Sequence, residues 1–466
     1  MANEDIKGTK EEKIRERKKK QKGTKKKLDL SAQAFIDNMV FSKSNRWAYY
    51  RIANNAYDFL DDNTKIRYAN ELSNALSAVF QDRQEPMDFH MISTSTPVDI
   101  DLWEEQVKEV TETWKRAPGF GDYVAEQALF LRQKEYMRKV TYLGVDLGKR
   151  GALDMSDMNF MELGLSNAIE NLKKYSSRAL QMPGAEISER EELDARRTEK
   201  DIYTTLSSGR LRAQRVSTEE LLLLIKRQLY PAMPAPYLDV DVDNRAGAFD
   251  LELESVSAIR KRYRWLEINQ QHFEHNLTGY RATLSISKLP KQVKFPELTP
   301  FMYVPSWIGL PFTVYSRFTL LPNRKMRKEL YKKEQEQEDQ LENMAEGGHS
   351  FDATVMEQMS DMEALKYQLM NDSKPWVKGS YRIVVETASE EYLKSFCSEL
   401  KQTYSSRDIT LTWTAGDQVD LFLEQMPGDR LRMGSFNMLT NMTMLGITGM
   451  NISSDIGDPL YSDVDV

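Results

Sequence analysis

"SNRWAYYRIANNAYDFL", Ser44 to Leu60, is the stretch on which the reading of this chain turns. Aromatic and β-favouring residues run to Ile52, a turn-forming Asn54-Asn55 pair follows, and from Asp61 to Phe80 apolar residues recur with helical spacing. The order is therefore strand, then helix. Downstream, "DFHMISTSTP" (Asp88 to Pro97) alternates as a second strand, Leu102 to Lys115 and Tyr123 to Lys139 have helical periodicity, and "KVTYLGVDL" (Lys139 to Leu147) is a third strand. Strands alternating with helices over residues 31–150 predict a small α+β domain.

The second half repeats the theme. Strands are expected at Ala248 to Ser255, Tyr263 to Ile268, Tyr280 to Ile286 and Pro311 to Pro322. "SYRIVVETA" (Ser380 to Ala388), a helix from Ser389 to Thr403, "DITLTWT" (Asp408 to Thr414) and a helix from Asp417 to Gln425 form a second β-α-β-α series. Between the halves, residues 151–236 are predicted as a helical insertion. It is broken at "MPGAE" (Met182 to Glu186), continues in a helix from Ser217 to Tyr230 with Ser217 and Glu220 as a capping box, and closes at the hinge "YPAMPAP". A helical hairpin is expected over about 322–370, with "EGGHS" as its turn. The fold class that follows is α+β, with two small β-α-β-α layered domains at 31–150 and 237–432 and a connector at 433–466.

At 466 residues, the chain has length for roughly two to four cores. Its net charge of −7 and 29% charged residues fit neither a disordered chain nor a general nucleic-acid binder. The exception is "KGTKEEKIRERKKKQKGTKKK" (Lys7 to Lys27), a basic tail within residues 1–30 that is either solvated or a weak tether to anionic lipid or DNA. One cysteine, Cys397, excludes an internal disulfide and is expected as a small core residue. No window supplies the 18 to 20 or so apolar residues of a spanning helix.

Catalytic signatures are wanting. "GVDLGKR" (Gly144 to Arg150) falls one residue short of a phosphate-binding loop and has Arg150 where the metal-binding hydroxyl belongs, so a turn after a strand is the better reading. "DVDVDNRAGAFD" (Asp239 to Asp250) has carboxylates at the first, third, fifth and twelfth positions of a calcium loop, but Asn244 replaces its glycine and Asp250 its glutamate. "HFEH" (His272 to His275) would put two imidazoles on one helical face without the further ligands zinc needs. No G-x-S-x-G, H-E-x-x-H or C-x-x-C occurs. We therefore expect no catalytic, cofactor or metal residue in this chain. The distinctive feature is "LTPFMYVPSWIGLPFTVYS" (Leu298 to Ser316), uncharged, with three internal prolines and five aromatic residues. It is either a core-covering loop leading into an edge strand or an interaction surface, in which case Trp307, Ile308 and Phe312 are the candidate contacts.

Several segments, in order and in approximate spacing, resemble the N-terminal region of the large ATPases of conjugation and type IV secretion machines, the TraE-like members of the CagE/TrbE/VirB family. They are "WAYYRIANNAYDFL" (Trp47 to Leu60), "YLGVDL" (Tyr142 to Leu147), "TLSISKLP" (Thr283 to Pro290), "VVETASEEYLKSFCSELKQTY" (Val384 to Tyr404), "LFLEQMPGDR" (Leu421 to Arg430) and "SDIGDP" (Ser454 to Pro459). The resemblance implies a docking and assembly module on the cytoplasmic face of the inner membrane. Its partners would be inner-membrane channel subunits and the family's RecA-like motor domain, with self-association a further possibility. ATP and magnesium belong to that motor, and no motor residue maps onto this sequence. The alternative is a free-standing scaffold or DNA-handling accessory protein that uses the basic tail.

Overall fold

The computed structural model describes residues 31–453 except 59, 82, 98–103, 105–106, 108–118, 134–136, 151–179, 182–186, 210, 230–258, 273–274, 291–294, 298–299, 309–311, 329, 333, 336–362, 364–365, 368 and 370–373. The basic tail, the hinge at 230–236, the segment Asp239 to Asp250 and "SDIGDP" lie outside the described residues.

The first elements are β1 (Ala32–Ile36), β2 (Met39–Ser42), β3 (Asn45–Ile52) and β4 (Asn55–Ala56), followed by helix α1 (Asp62–Phe80). Asp61 caps α1 by accepting from Thr64 N at 3.0 Å, which satisfies one of the amide groups that a helix start leaves open. β5 (Met87–Pro97), α2 (Phe120–Gln133), β6 (Met137–Lys149) and the short β7 (Leu180–Gln181) come next. α3 (Glu189–Ser208), β8 (Gln214–Arg215) and α4 (Thr218–Leu229) complete the first half.

In the second half, β9 (Ile259–Lys261), β10 (Leu266–His272) and β11 (His275–Lys288) form a meander, and β12 (Phe312–Leu321) precedes β13 (Trp376–Thr387). Helical residues are present within 323–335, where the first arm of the hairpin is expected. α5 (Glu390–Ser405), β14 (Thr410–Thr412), α6 (Gln418–Gln425), β15 (Met438–Asn441), α7 (Met442–Ile447) and β16 (Ile452–Ser453) follow.

The architecture is α+β around one large antiparallel sheet. Among the described residues, fourteen strands join along β7-β1-β2-β3-β6-β5-β12-β13-β11-β10-β9, with β8, β14 and β15 attached at its sides. Both halves contribute to this sheet, because β5 pairs with β12 from Met87↔Leu320 to Thr94↔Thr313. The Thr94 and Thr313 hydroxyls meet across that seam at 2.8 Å.

Strand alternation sorts side chains onto two faces. One face is apolar: Ala48, Tyr50, Phe89, Met91, Leu143, Val145, Leu284, Val314, Phe318 and Ile383 are covered by α1, α3, α5 and α7. Cys397 of α5 is fully buried there, and burial pushes its thiol up to about 12, as expected of an inert core residue. The opposite face lies under α4 and α6, and its interior is mixed, with Trp47, Tyr49, Ile92, Tyr142, Tyr315 and Val384 beside polar groups.

Residues 438–453 are built into this body. β15 extends the sheet on β13, α7 packs on α1, and β16 pairs in parallel with β4. Ser217 does cap α4, accepting from Glu220 N at 3.2 Å. The Glu220 carboxylate, expected to complete a capping box, instead accepts from the Tyr142 hydroxyl at 2.8 Å, because that buried phenol needs an acceptor.

Candidate partner segment and arginine-lined seam

The segment from Leu298 to Ser316 divides into two parts. Phe301, Met302, Tyr303 and Val304 are buried. Tyr404 donates to Phe301 O at 2.5 Å, Met302 N donates to Thr448 O at 2.8 Å, and the Tyr303 hydroxyl donates to Asp58 at 2.6 Å. Trp307 and Ile308 lie in a 3-10 turn, Val304–Ile308. Phe312 opens β12 opposite Val385 and is half-buried against the apolar core. The strand it opens is central, flanked by β5 and β13, which corrects the edge strand expected from the prolines.

The remaining sequence candidates are dispersed. Gly144 lies within β6 beneath the Tyr49 ring, where an added Cβ would sit 2.5 Å from that ring. Arg150 bonds Glu191 at 2.9 Å and Ser42 O at 3.1 Å. His272 and His275 are a cross-strand pair at the β10–β11 turn, so the helical face proposed for them is replaced by a hairpin. Among the described residues no group of three His, Cys, Asp or Glu side chains could hold a metal.

A constellation that the sequence reading missed lies on the mixed face. Three arginines on adjacent strands, Arg281 of β11, Arg317 of β12 and Arg382 of β13, are all but inaccessible. They are held there by α6 and the segment after it, "LEQMPGDRLRM" (Leu423 to Met433). Arg317 donates to Glu424 O and Met426 O, each at 2.9 Å. Arg382 donates to Met433 O at 2.9 Å and faces the fully buried Glu424 carboxylate at 3.5 Å. Arg281 pairs with Glu386 at 2.8 Å and bonds Gln425. Aromatic faces take part of the remaining surface: Arg317 lies over Trp47 at 5.2 Å and Arg281 over Phe422 at 4.8 Å.

Backbone geometry fixes the clasp. Pro427 and Gly428 reverse the chain, Gly428 has φ +77°, and its N–H donates to the Tyr49 hydroxyl at 2.8 Å. Ser42 bonds Gly428 O, and Glu424 accepts from the amides of Arg432 and Met433 at 3.0 and 2.8 Å. At the centre, His90 contacts the Tyr49 hydroxyl through Nδ1 at 3.1 Å, with the Tyr315 ring on its other side. Burial, reinforced by Arg317, holds the imidazole neutral well below its ordinary range, and burial pushes the Tyr49 phenol up to about 12. Neither group is poised to exchange a proton near neutrality. The chemistry of this seam is that of a charged, closed joint between a sheet and its covering segment.

The signal for it was present in sequence as an arginine interrupting each of three apolar strands, "YRATLSI", "YSRFTLL" and "SYRIVVE". An arginine inside a strand that is buried on both faces requires a carbonyl or carboxylate partner.

No protein-family model matches the chain, and no curated protein matches it.

Proposed function

We propose that this chain is a docking and assembly module of a conjugative-transfer or type IV secretion ATPase. In this reading it binds the cytoplasmic side of an inner-membrane channel and has no ATP or magnesium site among its own residues. One observation supports the reading: among the described residues, segments that carry the family resemblance meet in three dimensions. "WAYYRI" supplies Tyr49, "YLGVDL" supplies Gly144 beneath it, "LFLEQMPGDR" supplies the Gly428 amide that bonds Tyr49, and "VVETA" pairs with "TLSIS" through Thr283↔Val384. Segments scattered over 384 residues are expected to converge when they encode one shared core.

Within this proposal, residues 31–150 and 237–432 are two β-α-β-α units that share the central sheet, with 151–236 and the hairpin at about 322–370 as additions. Trp307 and Ile308 of the 3-10 turn, with Phe312 beside it, are the contacts to channel subunits. The seam supplies rigidity, and the partner is the set of small membrane subunits.

The test combines two measurements on the full chain. Trp307→Ala with Phe312→Ala is expected to weaken recruitment to membranes that contain the channel subunits while the protein stays folded, its denaturation midpoint lowered only by the packing that half-buried Phe312 gives up. Loss of folded protein would return these side chains to the core. Magnesium-dependent ATP hydrolysis by the purified chain would contradict the absence of a nucleotide site.

A further inference from the structure

The docking reading gives no role to the far edge of the sheet. Among the described residues β9 is the terminal strand beyond β10, and residues 260–264 read Arg-Lys-Arg-Tyr-Arg, without an acid, in a chain of net charge −7. All five side chains are exposed, Tyr263 to 72%. The Arg264 guanidinium lies over two rings, 5.5 Å from Tyr263 and 5.8 Å from Trp413. Trp413 is fixed from the other side, since its indole N–H donates to Arg264 O at 2.6 Å. Trp265 continues the row, 6.2 Å from Trp413, with Lys394 of α5 over its ring at 4.9 Å.

Charges on a terminal strand discourage edge-to-edge pairing, which accounts for lysine and arginine on β9. It does not account for an exposed tyrosine and a half-buried tryptophan bracketing a guanidinium. Nor is the cluster neutralised among the described residues: Arg260 and Arg262 share Glu267, Lys394 bonds Glu390, and Lys261 and Arg264 add to a surplus of cations. Cations attract a polyanion, and the exposed Tyr263 ring with the half-buried Trp413 ring interleaved with them suits a polyanion that presents unstacked rings. A duplex hides the faces of its bases, while a lipid headgroup or an acidic peptide has none to offer.

We propose that this hairpin edge binds single-stranded nucleic acid, with Tyr263 and Trp413 as base-stacking platforms and Arg260, Lys261, Arg262 and Arg264 along the phosphates. The inference does not rest on the docking reading, since it uses different residues and a different partner.

The probe is a short fluorescent oligo(dT) titrated with the full chain, read by anisotropy and by quenching of tryptophan emission. Wild type is expected to bind, to quench, and to prefer the single strand over a duplex of equal length. Tyr263→Ala should weaken binding about tenfold, the scale of one stacked base, while Tyr263→Phe retains it. Arg262→Ala with Arg264→Ala should lower both the affinity and its salt dependence. These side chains are exposed, so unchanged denaturation midpoints establish that the variants are folded. The proposal is overturned if oligo(dT) does not bind, if duplex binds equally well, or if folded Tyr263→Ala binds like wild type. It is also overturned if phosphatidylglycerol vesicles or polyglutamate bind through these residues where oligo(dT) does not.

Discussion

Gln418 takes the place of a strand for Thr283. Its Oε1 accepts from Thr283 N at 2.8 Å and its Nε2 donates to Thr283 O at 3.0 Å. On that side of β11, β10 pairs as far as Arg281 and β14 begins at Ser285, so Thr283 falls in the gap between two partner strands. One side-chain amide at the start of α6 closes the gap.

Gln418→Ala leaves both buried backbone groups unpaired. At about 1–3 kcal/mol for each lost partner, the expected destabilisation is about 2–6 kcal/mol, measured by urea denaturation. Hydrogen exchange at the Thr283 amide should accelerate selectively. An unchanged exchange rate would show that water replaces the side chain at no cost.

The Arg382–Glu424 pair makes a second prediction, because both side chains are fully inaccessible. Glu424→Gln removes the compensating charge while keeping the shape, and should cost about 3–5 kcal/mol. Adding Arg382→Met to that variant should recover a substantial part of the loss. Additive effects in the double variant would show that the two charges are not coupled.

Acid response separates His90 from Asp146. The folded-state pKa of His90 is depressed by burial and then by Arg317, so the unfolded chain takes up that proton first. Stability from neutral His90 is therefore present above about pH 6.5 and is lost as pH falls. Asp146 has the opposite sign: burial, aided by Asp88, raises its carboxyl to about 6 despite donors from Gly148 and Asn45. Its contribution is complete below about pH 4 and is lost as pH rises through about 6, a cost of up to about 3 kcal/mol at neutrality. In urea titrations between about pH 4 and about pH 7.5, His90→Gln should flatten the fall in stability on acidification. Asp146→Asn should gain on wild type as pH rises. Parallel curves for all three proteins would contradict these assignments.

Gly446 is the residue at which α7 meets α1. A Cβ there would overlap the Ala69 carbonyl, which is backbone and cannot rotate away. Alanine is the better helix former by about 1 kcal/mol, whereas overpacking costs about 1–3 kcal/mol. Gly446→Ala is therefore expected to lower the denaturation midpoint and to increase proteolysis of the 438–453 segment. A raised midpoint would mean that the two helices part readily.

Elements with strong local patterns were legible in sequence. The helix from Asp61, the alternation of β5, and the α5 and α6 helices needed only their periodicity to be read. The β1–β2 hairpin was overlooked, although Asp37-Asn38 between two apolar runs was its signal and Asp37 has φ +53°. What local pattern cannot carry is which strands become neighbours. The β5–β12 pairing links residues more than 200 positions apart, and it turns two apparent units into contributors to one sheet. The arginine seam was hidden for the same reason, since each guanidinium finds its carbonyl or carboxylate on an element distant in sequence. For the segment Leu298 to Ser316, the uncharged run was recognisable, but only the packing shows that Phe301–Val304 are buried.

The central claim is tested most directly by flotation of the full chain with inner-membrane vesicles that contain or lack the small subunits of a conjugation channel. The account predicts co-flotation only when the subunits are present, persisting at a salt concentration that screens the basic tail. Equal flotation with both kinds of vesicle, or none with either, would contradict it.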